Sequence, residues 1–277
     1  MRNLDTPKEN TWCPGCGNFG ILNAFKKTVK AFDETGMSLS NLVIVCGIGC
    51  HGKIFDYLNI SGFYSLHGRA VATAEGIKLA NPELEVITFG GDGDSLGEGL
   101  EHTLFAAKRN MDMTLILHSN GTYGLTTGQF SPLSPAGYKG LSAPFGSIER
   151  SFNAISLLIE AGATFVARTY SARLDHMVDI FDKAIRHKGF SFVEVLQPCV
   201  SYNNTYSLYN EKVKRLEVIP EDDATAVSIA KNKEDIYIGI YKSIQIPVYH
   251  ELLYGQDNPA RERLNVLQRK QIIRETF

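Results

Sequence analysis

The hydrophobic positions of the chain fall into short apolar runs separated by segments with helical spacing. Apolar runs rich in β-branched residues occur at 42–46, 86–89, 114–117 and 190–196, with a plausible further run at 164–167. Their length and composition are typical of buried strands. Helical spacing occurs at residues 21–32, 70–79, 96–108, 151–160 and 174–188. Alternating strands and helices of this length predict βαβ units, and therefore an α/β fold with a doubly wound parallel sheet.

Every loop with unusual chemistry follows one of these predicted strands. The loops are residues 47–52, 90–94, 119–129 and 197–199. In doubly wound sheets, ligands bind outside the carboxyl ends of the strands. The sequence therefore predicts one site at this edge of the sheet.

The loop Gly90-Gly91-Asp92-Gly93-Asp94 lies between a predicted strand and a predicted helix, and Asn120 follows the next strand. Its glycines allow positive φ angles and close approach of the backbone to a ligand. Carboxylate and amide oxygens suit Mg²⁺ better than zinc, and Mg²⁺ takes its other ligands from phosphate or water. The alternative is that Asp-Gly and Asn-Gly are ordinary turn signals. Their combination in this strand context favours a phosphate-and-metal site.

The remaining segments have weaker patterns. Residues 130–150 are rich in Ser, Pro and Gly, which indicates a long loop covering the site rather than a linker between domains. Beyond Val200 the periodic pattern weakens. We expect a cofactor-binding domain over residues 1–200 and a C-terminal extension over residues 201–277, either an arm or a small subdomain docked on a partner or on the core.

Composition excludes several classes of protein. The chain has 277 residues, of which 44% are hydrophobic and 21% charged, as in a soluble enzyme with a large core. The net charge of -2 argues against nucleic acid as the main partner. The N-terminus is polar and the chain has no apolar run of about 18 residues, so we expect neither a signal peptide nor a membrane span, and a cytoplasmic location.

Five cysteines in that compartment indicate ligands or reactive thiols rather than disulfides. Cys13 and Cys16 form a Cys-x-x-Cys knuckle, while Cys50 and Cys199 follow predicted strands. Four thiolates meeting at one edge suit either zinc or an iron–sulfur cluster, and the spacing does not decide between them. Cys46 lies within an apolar strand and is interpreted as a small hydrophobic residue without a ligand role.

The segment from Gly91-Asp92-Gly93 to Asn120 resembles the diphosphate-binding motif of thiamine diphosphate enzymes. That resemblance implies that Asp92, Asn120 and the backbone carbonyl of Thr122 bind Mg²⁺, which bridges the cofactor's phosphates. An ordered set of motifs over residues 10–205 then looks like the β subunit of archaeal 2-oxoacid:ferredoxin oxidoreductases. The motifs are Trp12 to Gly17, Gly47 to Cys50, Leu66 to Arg69, Gly90 to Asp94, Asn120 to Gln129 and Gln197 to Cys199.

This family resemblance implies further roles. Cys13, Cys16, Cys50 and Cys199 would hold a [4Fe–4S] cluster. The implied cofactor-binding residues are Gly49, His51, Gly52, Lys53, His67, Gly91, Gly93, Asp94, Asn120, Thr122, Gly124 and Leu125. Lys53 and His67 are also candidate catalytic residues, although Lys53 could be a solvated lysine and His67 a turn histidine capped by backbone. Asp94 is expected to support its loop rather than to ligate the metal.

The implied reaction is coenzyme A-dependent oxidative decarboxylation of a 2-oxoacid, with electrons passing through the cluster to ferredoxin. The glutamate that activates thiamine would come from a separate α subunit, in an αβ or (αβ)₂ assembly. Alternatives are a thiamine-dependent decarboxylase-type subunit with structural zinc and no electron transfer, or a non-catalytic cofactor-binding protein. Thr127 stands where these archaeal enzymes often have lysine, and His51 where serine is usual, so the sequence leaves the choice of 2-oxoacid open.

Overall fold

The computed structural model describes residues 3–34, 38–255, 257–260 and 266–276. The strands are β1 (Leu42–Cys46), β2 (Ser61–Tyr64), β3 (Glu85–Gly91), β4 (Met113–Ser119), β5 (Phe165–Tyr170), β6 (Phe190–Leu196), β7 (Val213–Arg215) and β8 (Ile236–Ser243). The helices are α1 (Asn18–Glu34), α2 (Ala70–Ala80), α3 (Leu100–Lys108), α4 (Ala154–Glu160), α5 (Leu174–Arg186), α6 (Tyr206–Lys212), α7 (Asp223–Ala230), α8 (Tyr249–Tyr254) and α9 (Val266–Thr276).

Within the described ranges the strands form one eight-stranded sheet in the order β2-β1-β3-β4-β6-β5-β8-β7. The six strands from β2 to β5 are parallel to their neighbours, whereas β8 runs antiparallel to β5. Helices α1 and α5 cover one face, and α2, α3, α4 and α7 cover the other. The predicted α/β, doubly wound and mainly parallel sheet is therefore confirmed, and the four firmly predicted strands and the fifth are all present.

The strand interiors follow from their apolar sequences. In β1, Ile44 and Cys46 pack under α1 and α5, while Val45 packs against the opposite layer. Successive residues of a strand point to opposite faces, so a strand buried on both sides must be apolar throughout. Cys46 is fully buried in this layer, and burial raises its pKa well above the ordinary thiol value. Cys46 thus behaves as the core residue that the sequence indicated.

Two predicted helices begin later than expected. Residues 94–98 form a π-helical turn, and the regular helix of the predicted segment 96–108 begins at Leu100. Helix α4 begins at Ala154 because the side chain of Asn153 caps it by accepting a hydrogen bond from the amide of Ser156. Residues 120–153 contain no helix or extended strand, as expected for a long loop.

The region beyond residue 200 is more closely joined to the sheet than its pattern indicated. Strand β8 pairs with β5, and β7 pairs with β8, so both extend the same sheet at one edge. The sequence missed them because β8 is only half buried and carries Gly239 in its interior, while β7 has three residues. The proposed division at residue 200 stays a prediction. Among the described residues, no helix has the length and apolar character needed to cross a bilayer.

Candidate functional site

A pocket lies where β1, β3 and β4 end. Its lining consists of Ile48, Gly49, Cys50, His51, His67, Gly91, Asp92, Gly93, Asp94, Asn120, Thr122, Tyr123, Gly124, Leu125 and Thr126. We call it the diphosphate pocket. Parallel strands bring their carboxyl ends to one edge of the sheet, which is why loops far apart in sequence meet here.

Asp92 is 2% exposed and forms the floor of the diphosphate pocket. Its Oδ2 accepts a hydrogen bond of 3.0 Å from the amide of Gly121 and a short one from the hydroxyl of Ser131. Burial raises the pKa of Asp92 to about 6, although these hydrogen bonds act in the opposite direction. A buried carboxylate of this kind is stabilised in its charged form by a bound cation.

Asn120 lies beside Asp92 because β3 and β4 are neighbours and each residue follows its strand. Its Oδ1 accepts a 3.0 Å hydrogen bond from the amide of Thr122, and its Nδ2 donates to Gln197 Oε1 at 3.1 Å. Gly121 has a φ of 65°, so the turn between Asn120 and Thr122 favours glycine. Asp92 and Asn120 thus line the same pocket, and their role as metal ligands stays a prediction.

Asp94 joins three loops. Its Oδ1 accepts hydrogen bonds from the amides of Gly68 at 2.8 Å and Ile48 at 3.2 Å, while its Oδ2 lies 3.7 Å from His51 Nε2. Burial raises the pKa of Asp94, but the interaction with His51 and the two amides outweigh it and hold that pKa below its ordinary value. A Cβ at Gly47 would come within 1.8 Å of Asp94 Oδ2, so only glycine permits this approach. These contacts agree with the expectation that Asp94 holds its loop in place rather than binding the metal.

His67 lies at the mouth of the pocket, with its side chain 35% exposed. Its Nδ1 is 3.2 Å from Glu98 Oε2, and its ring stacks on Tyr123 at a centroid distance of 6.1 Å. The hydroxyl of Tyr123 donates to the carbonyl of Gly93 at 3.1 Å. His67 is therefore held by contacts with the side chains of Glu98 and Tyr123.

The four predicted ligand cysteines line an adjacent cavity, which we call the cysteine cavity. Its lining is Thr11, Trp12, Cys13, Cys16, Asn18, Cys50, Lys53, Asn120, Gly124, Gln197, Cys199, Val200, Ser201 and Tyr202. Ser201 donates to Cys13 Sγ at 3.3 Å, and Gln197 Nε2 donates to Cys16 Sγ at 3.5 Å. Burial, followed by the other three cysteines, raises the pKa of Cys16 to about 11. Four thiols that oppose one another's ionisation favour an occupant that carries positive charge.

Both sites contain polar atoms that fit the groups implied by the sequence. In the described residues, Asn18 Nδ2 is buried beside the cysteine cavity without a hydrogen-bond partner, whereas the buried His51 Nε2 and Asp94 Oδ2 beside the diphosphate pocket face each other at 3.7 Å without a close hydrogen bond. Buried polar groups of this kind require a partner. No three His, Cys, Asp or Glu side chains of the described chain are grouped as for a single bound metal ion. Carboxylate and amide side chains line the pocket and four thiols line the cavity, and the metal-bridged diphosphate and the iron–sulfur cluster stay predictions for these donor sets.

Two predicted residues lie away from the diphosphate pocket. Lys53 lines the cysteine cavity instead, where its charge opposes the rise in the pKa of Cys50 caused by burial. Gly52 does not line the pocket; a Cβ there would come within 2.2 Å of the carbonyl of Gly47, so its role is close packing. Both lie in the 3₁₀ helix His51–Tyr57, whose winding determines which side chains face the pocket.

Other contributors were not assigned from the sequence. Ser131 bonds Asp92 from the long loop, and Tyr138 of the same loop bonds the hydroxyl of Thr122 at 2.9 Å. Glu98 supports His67, and Tyr123 supports the backbone of Gly93. Ser131, Tyr138 and Glu98 lie outside the motifs named from the sequence, and Tyr123 lies within the motif 120–129 but was assigned no role, since each contact depends on how a loop folds back onto the strand ends.

Comparison with known proteins agrees with this geometry. A family model described as the thiamine pyrophosphate enzyme, C-terminal TPP binding domain, matches residues 47–195. A 2-oxoacid:ferredoxin oxidoreductase subunit beta from Sulfolobus sp. is 47% identical over 244 residues, which cover 87% of this chain and 79% of the relative. The 2-oxoglutarate synthase subunit KorB of Methanothermobacter thermautotrophicus is 36% identical over 224 residues, covering 81% and 77% respectively.

A solved structure is also similar over nearly the whole chain. It is a 2-oxoglutarate:ferredoxin oxidoreductase from Magnetococcus marinus with 2-oxoglutarate, coenzyme A and succinyl-CoA bound. Its TM-score is 0.88 at 29% identity, and the match covers 99% of this chain and 94% of that one.

Proposed function

Because this chain belongs to the β subunits of 2-oxoacid:ferredoxin oxidoreductases, we propose that it carries the diphosphate and electron-transfer half of an oxidative decarboxylase. The reaction converts a 2-oxoacid and coenzyme A to acyl-CoA and CO₂ and passes two electrons to ferredoxin. One observation carries the proposal: Cys50, Asn120 and Gly124 line both the diphosphate pocket and the cysteine cavity. The two sites are separated by a single wall of residues.

In the diphosphate pocket, Asp92, Asn120 and the carbonyl of Thr122 would hold Mg²⁺. Their oxygens approach from two neighbouring strand ends, and phosphate oxygens would complete the ligand set. His51 lines the same pocket, and its Nε2 lies 3.7 Å from Asp94 Oδ2. When bound, thiamine diphosphate supplies the electron sink for decarboxylation. The part of this chain is to anchor the diphosphate and to keep water away from its buried end.

In the cysteine cavity, Cys13, Cys16, Cys50 and Cys199 would hold a [4Fe–4S] cluster, which accepts electrons one at a time. The indole of Trp12 donates to the carbonyl of Cys50 at 2.6 Å and fixes that ligand loop. Lys53 places a positive charge beside Cys50. We therefore assign Lys53 an electrostatic role at the cysteines rather than contact with the diphosphate.

The site needs a second subunit. The pocket residues include no carboxylate other than Asp92 and Asp94, and both are engaged by the loops of this chain. The glutamate that activates thiamine would then come from an α subunit, in an αβ or (αβ)₂ assembly. Leu66 is 75% exposed and Phe63 53% exposed, close in sequence to His67, and they offer apolar surface for that subunit. A cytoplasmic location stays a prediction from the sequence.

The test is to co-produce the chain with its α subunit without oxygen and to measure iron, sulfide and 2-oxoacid-dependent reduction of viologen or ferredoxin. We expect about four irons and four sulfides per chain, as a [4Fe–4S] cluster requires. Activity should require coenzyme A, thiamine diphosphate and the α subunit. Pyruvate, 2-oxoglutarate, branched-chain and aryl 2-oxoacids compared side by side would identify the substrate.

Two outcomes would contradict the proposal. Zinc in place of iron, with decarboxylation but no viologen reduction, would favour the alternative of a decarboxylase-type subunit with a structural metal. Activity of the β chain alone would show that the site is complete without the α subunit.

A further inference from the structure

Gln197 occupies the boundary between the two sites. In the parallel pair of β4 and β6, Ser119 is opposite Leu196, so the next residues, Asn120 and Gln197, leave the sheet side by side. The amide of Gln197 donates to the carbonyl of Ser119 at 2.9 Å and continues the ladder past the strand ends. Gln197 is 1% exposed, and its side chain extends into the wall rather than into solvent.

The side chain of Gln197 contacts a ligand residue of each site. Its Oε1 accepts a hydrogen bond from Asn120 Nδ2 at 3.1 Å. Its Nε2 donates to Cys16 Sγ at 3.5 Å and to the carbonyl of Pro198 at 2.8 Å. One buried amide thus joins the predicted metal ligand Asn120 to the predicted cluster ligand Cys16, and every polar atom of that amide has a partner.

The direction of these hydrogen bonds is fixed by a backbone amide. The N–H of Thr122 can only donate, so the atom of Asn120 that it contacts at 3.0 Å must be the oxygen. The Nδ2 of Asn120 therefore faces Gln197 and requires an acceptor, which places Gln197 Oε1 on that side and Nε2 towards Cys16. The hydrogen bonds therefore all run in one direction: Thr122 donates to Asn120, Asn120 donates to Gln197, and Gln197 donates to Cys16 Sγ.

Gly17 packs closely against the side chain of Gln197. A Cβ at Gly17 would lie 2.9 Å from Gln197 Cγ, and the amide of Gly17 donates to the carbonyl of Pro198 at 3.3 Å. The knuckle that carries Cys16 is therefore packed directly on the Gln197 side chain. A side chain held by packing and hydrogen bonds on both sides has the preorganisation that a positioning residue needs.

We propose that Gln197 is a positioning residue shared by both cofactor sites, which orients Asn120 towards Mg²⁺ and raises the reduction potential of the cluster through its hydrogen bond to Cys16. This inference rests on the proposed function, because it requires the cluster and the metal to bind where the cysteines and Asp92 lie. Hydrogen bonds to ligand sulfur stabilise the more negative, reduced cluster and so raise its potential. Outer hydrogen-bond partners of metal ligands also contribute to metal affinity.

The test uses the anaerobic αβ complex with Gln197→Met, which keeps the length of the side chain against Gly17 but removes both polar functions. Gln197→Leu is a second variant, and Gln245→Met is the matched control because Gln245 is exposed and its amide bonds His187. The cluster midpoint potential is measured by redox titration followed by electron paramagnetic resonance. The Mg²⁺ concentration for half-maximal retention of thiamine diphosphate is measured on protein stripped of cofactor.

In both Gln197 variants we expect full iron content, a more negative midpoint potential and a roughly 10- to 100-fold higher Mg²⁺ requirement, as for other outer-shell partners. Gln245→Met should match the wild type in all three measurements. If the Gln197 variants keep their full iron content and have the same midpoint potential and Mg²⁺ requirement as the wild type, the inference is overturned. The proposed function would then remain intact. Loss of the cluster from both variants would assign Gln197 a purely structural role. A wild-type complex without iron would instead overturn the proposed function itself.

Discussion

The diphosphate pocket and the cysteine cavity share a wall but balance their charges in different ways. In the pocket, the protein already supplies donors to both carboxylates: the amide of Gly121 and the hydroxyl of Ser131 to Asp92, and two loop amides to Asp94. In the cavity, Cys16 interacts with the side-chain amide of Gln197 and the backbone amide of Asn18, but burial and then the three other thiols raise its pKa. The pocket is therefore largely preformed, whereas the cavity depends on what it binds.

The two regions also differ in how the chain builds them. The pocket is formed by residues between 48 and 126, most of them at or just after the ends of β1, β3 and β4, while His67 follows the edge strand β2. The cavity joins the N-terminal knuckle at Cys13 and Cys16 to Cys50 and Cys199. Hydrogen bonds join these distant segments, among them the 3.3 Å bond from the amide of Gly17 to the carbonyl of Pro198. We expect loss of the cluster to disturb the cavity more than the pocket.

Cys16→Ala should have the largest effect. It removes the most buried of the four predicted ligands, so the αβ complex should lose its brown absorbance and all 2-oxoacid-dependent viologen reduction. Because the diphosphate pocket is held by its own donors, binding of thiamine diphosphate with Mg²⁺ should persist, as measured by calorimetry. Cys46→Ala is the control: it should keep its iron and lose about 1 kcal/mol of unfolding free energy. A Cys16→Ala complex that keeps four irons would contradict the ligand assignment.

Asp92→Ala should disrupt the diphosphate pocket. Removal of the carboxylate takes away a predicted Mg²⁺ ligand and leaves the Gly121 amide without its acceptor. We expect activity to fall by more than about 100-fold, beyond the usual range for an outer-shell partner. Iron content should stay at the wild-type value, in contrast to Cys16→Ala. Asp179→Ala, which removes only an exposed ion pair with Lys183, should keep both iron and activity. Loss of iron from Asp92→Ala would show that the two sites do not fold independently.

The pH dependence of cofactor binding should identify Asp92. Its folded pKa of about 6 lies above the ordinary 3.8, so the metal-free folded state binds the proton more tightly than the unfolded chain. The resulting stabilisation, on the order of 3 kcal/mol, is complete below about pH 4 and is lost as pH rises through about 6. Mg²⁺ competes with that proton. The gain in melting temperature from Mg²⁺ and thiamine diphosphate should therefore increase between about pH 5 and pH 7.

Asp92→Asn provides the matched comparison for this titration. Its amide cannot ionise, so any remaining gain from Mg²⁺ should change much less over the same pH range. An unchanged pH profile in Asp92→Asn would assign the titration to another group.

The sequence predicted the positions of Asp92 and Asn120 in the diphosphate pocket, but it placed Lys53 at the wrong site. The reason is physical. Asp92 and Asn120 each follow a buried strand, and parallel strands of one sheet end at one edge, so local pattern and fold class together bring them into one pocket. Their binding of Mg²⁺ stays a prediction. Lys53 lies in a 3₁₀ helix, where the winding of one short turn decides which site a side chain faces. That winding is not encoded in any spacing visible along the chain.

Strands β2 and β8 show the same limit for the fold. Strand β2 is Ser-Gly-Phe-Tyr, exposed along its length at the edge of the sheet, and lacks the apolar run that marks a buried strand. Strand β8 is set by pairing with β5, more than 60 residues earlier in the chain. Ser131 likewise reaches Asp92 only because the long loop folds back. Contacts between distant segments with polar or exposed sequences leave little signal in periodicity.

Tyr123→Phe should have the smallest effect of these substitutions. It measures how much the hydroxyl of Tyr123, a residue that lines the pocket, contributes to activity. Burial, followed by the nearby Glu98, raises the pKa of Tyr123, so the phenol stays a donor at any working pH. Phenylalanine removes the hydroxyl that lies 3.1 Å from the carbonyl of Gly93 and 3.2 Å from Glu98 Oε2, which share its single proton, but keeps the ring on His67. One such bond contributes about 0.5–1.5 kcal/mol, so kcat/KM for the 2-oxoacid should fall by about 2- to 10-fold. Tyr123→Leu removes the ring as well and should cost more; equal losses in the two variants would show that the stack on His67 contributes nothing to activity.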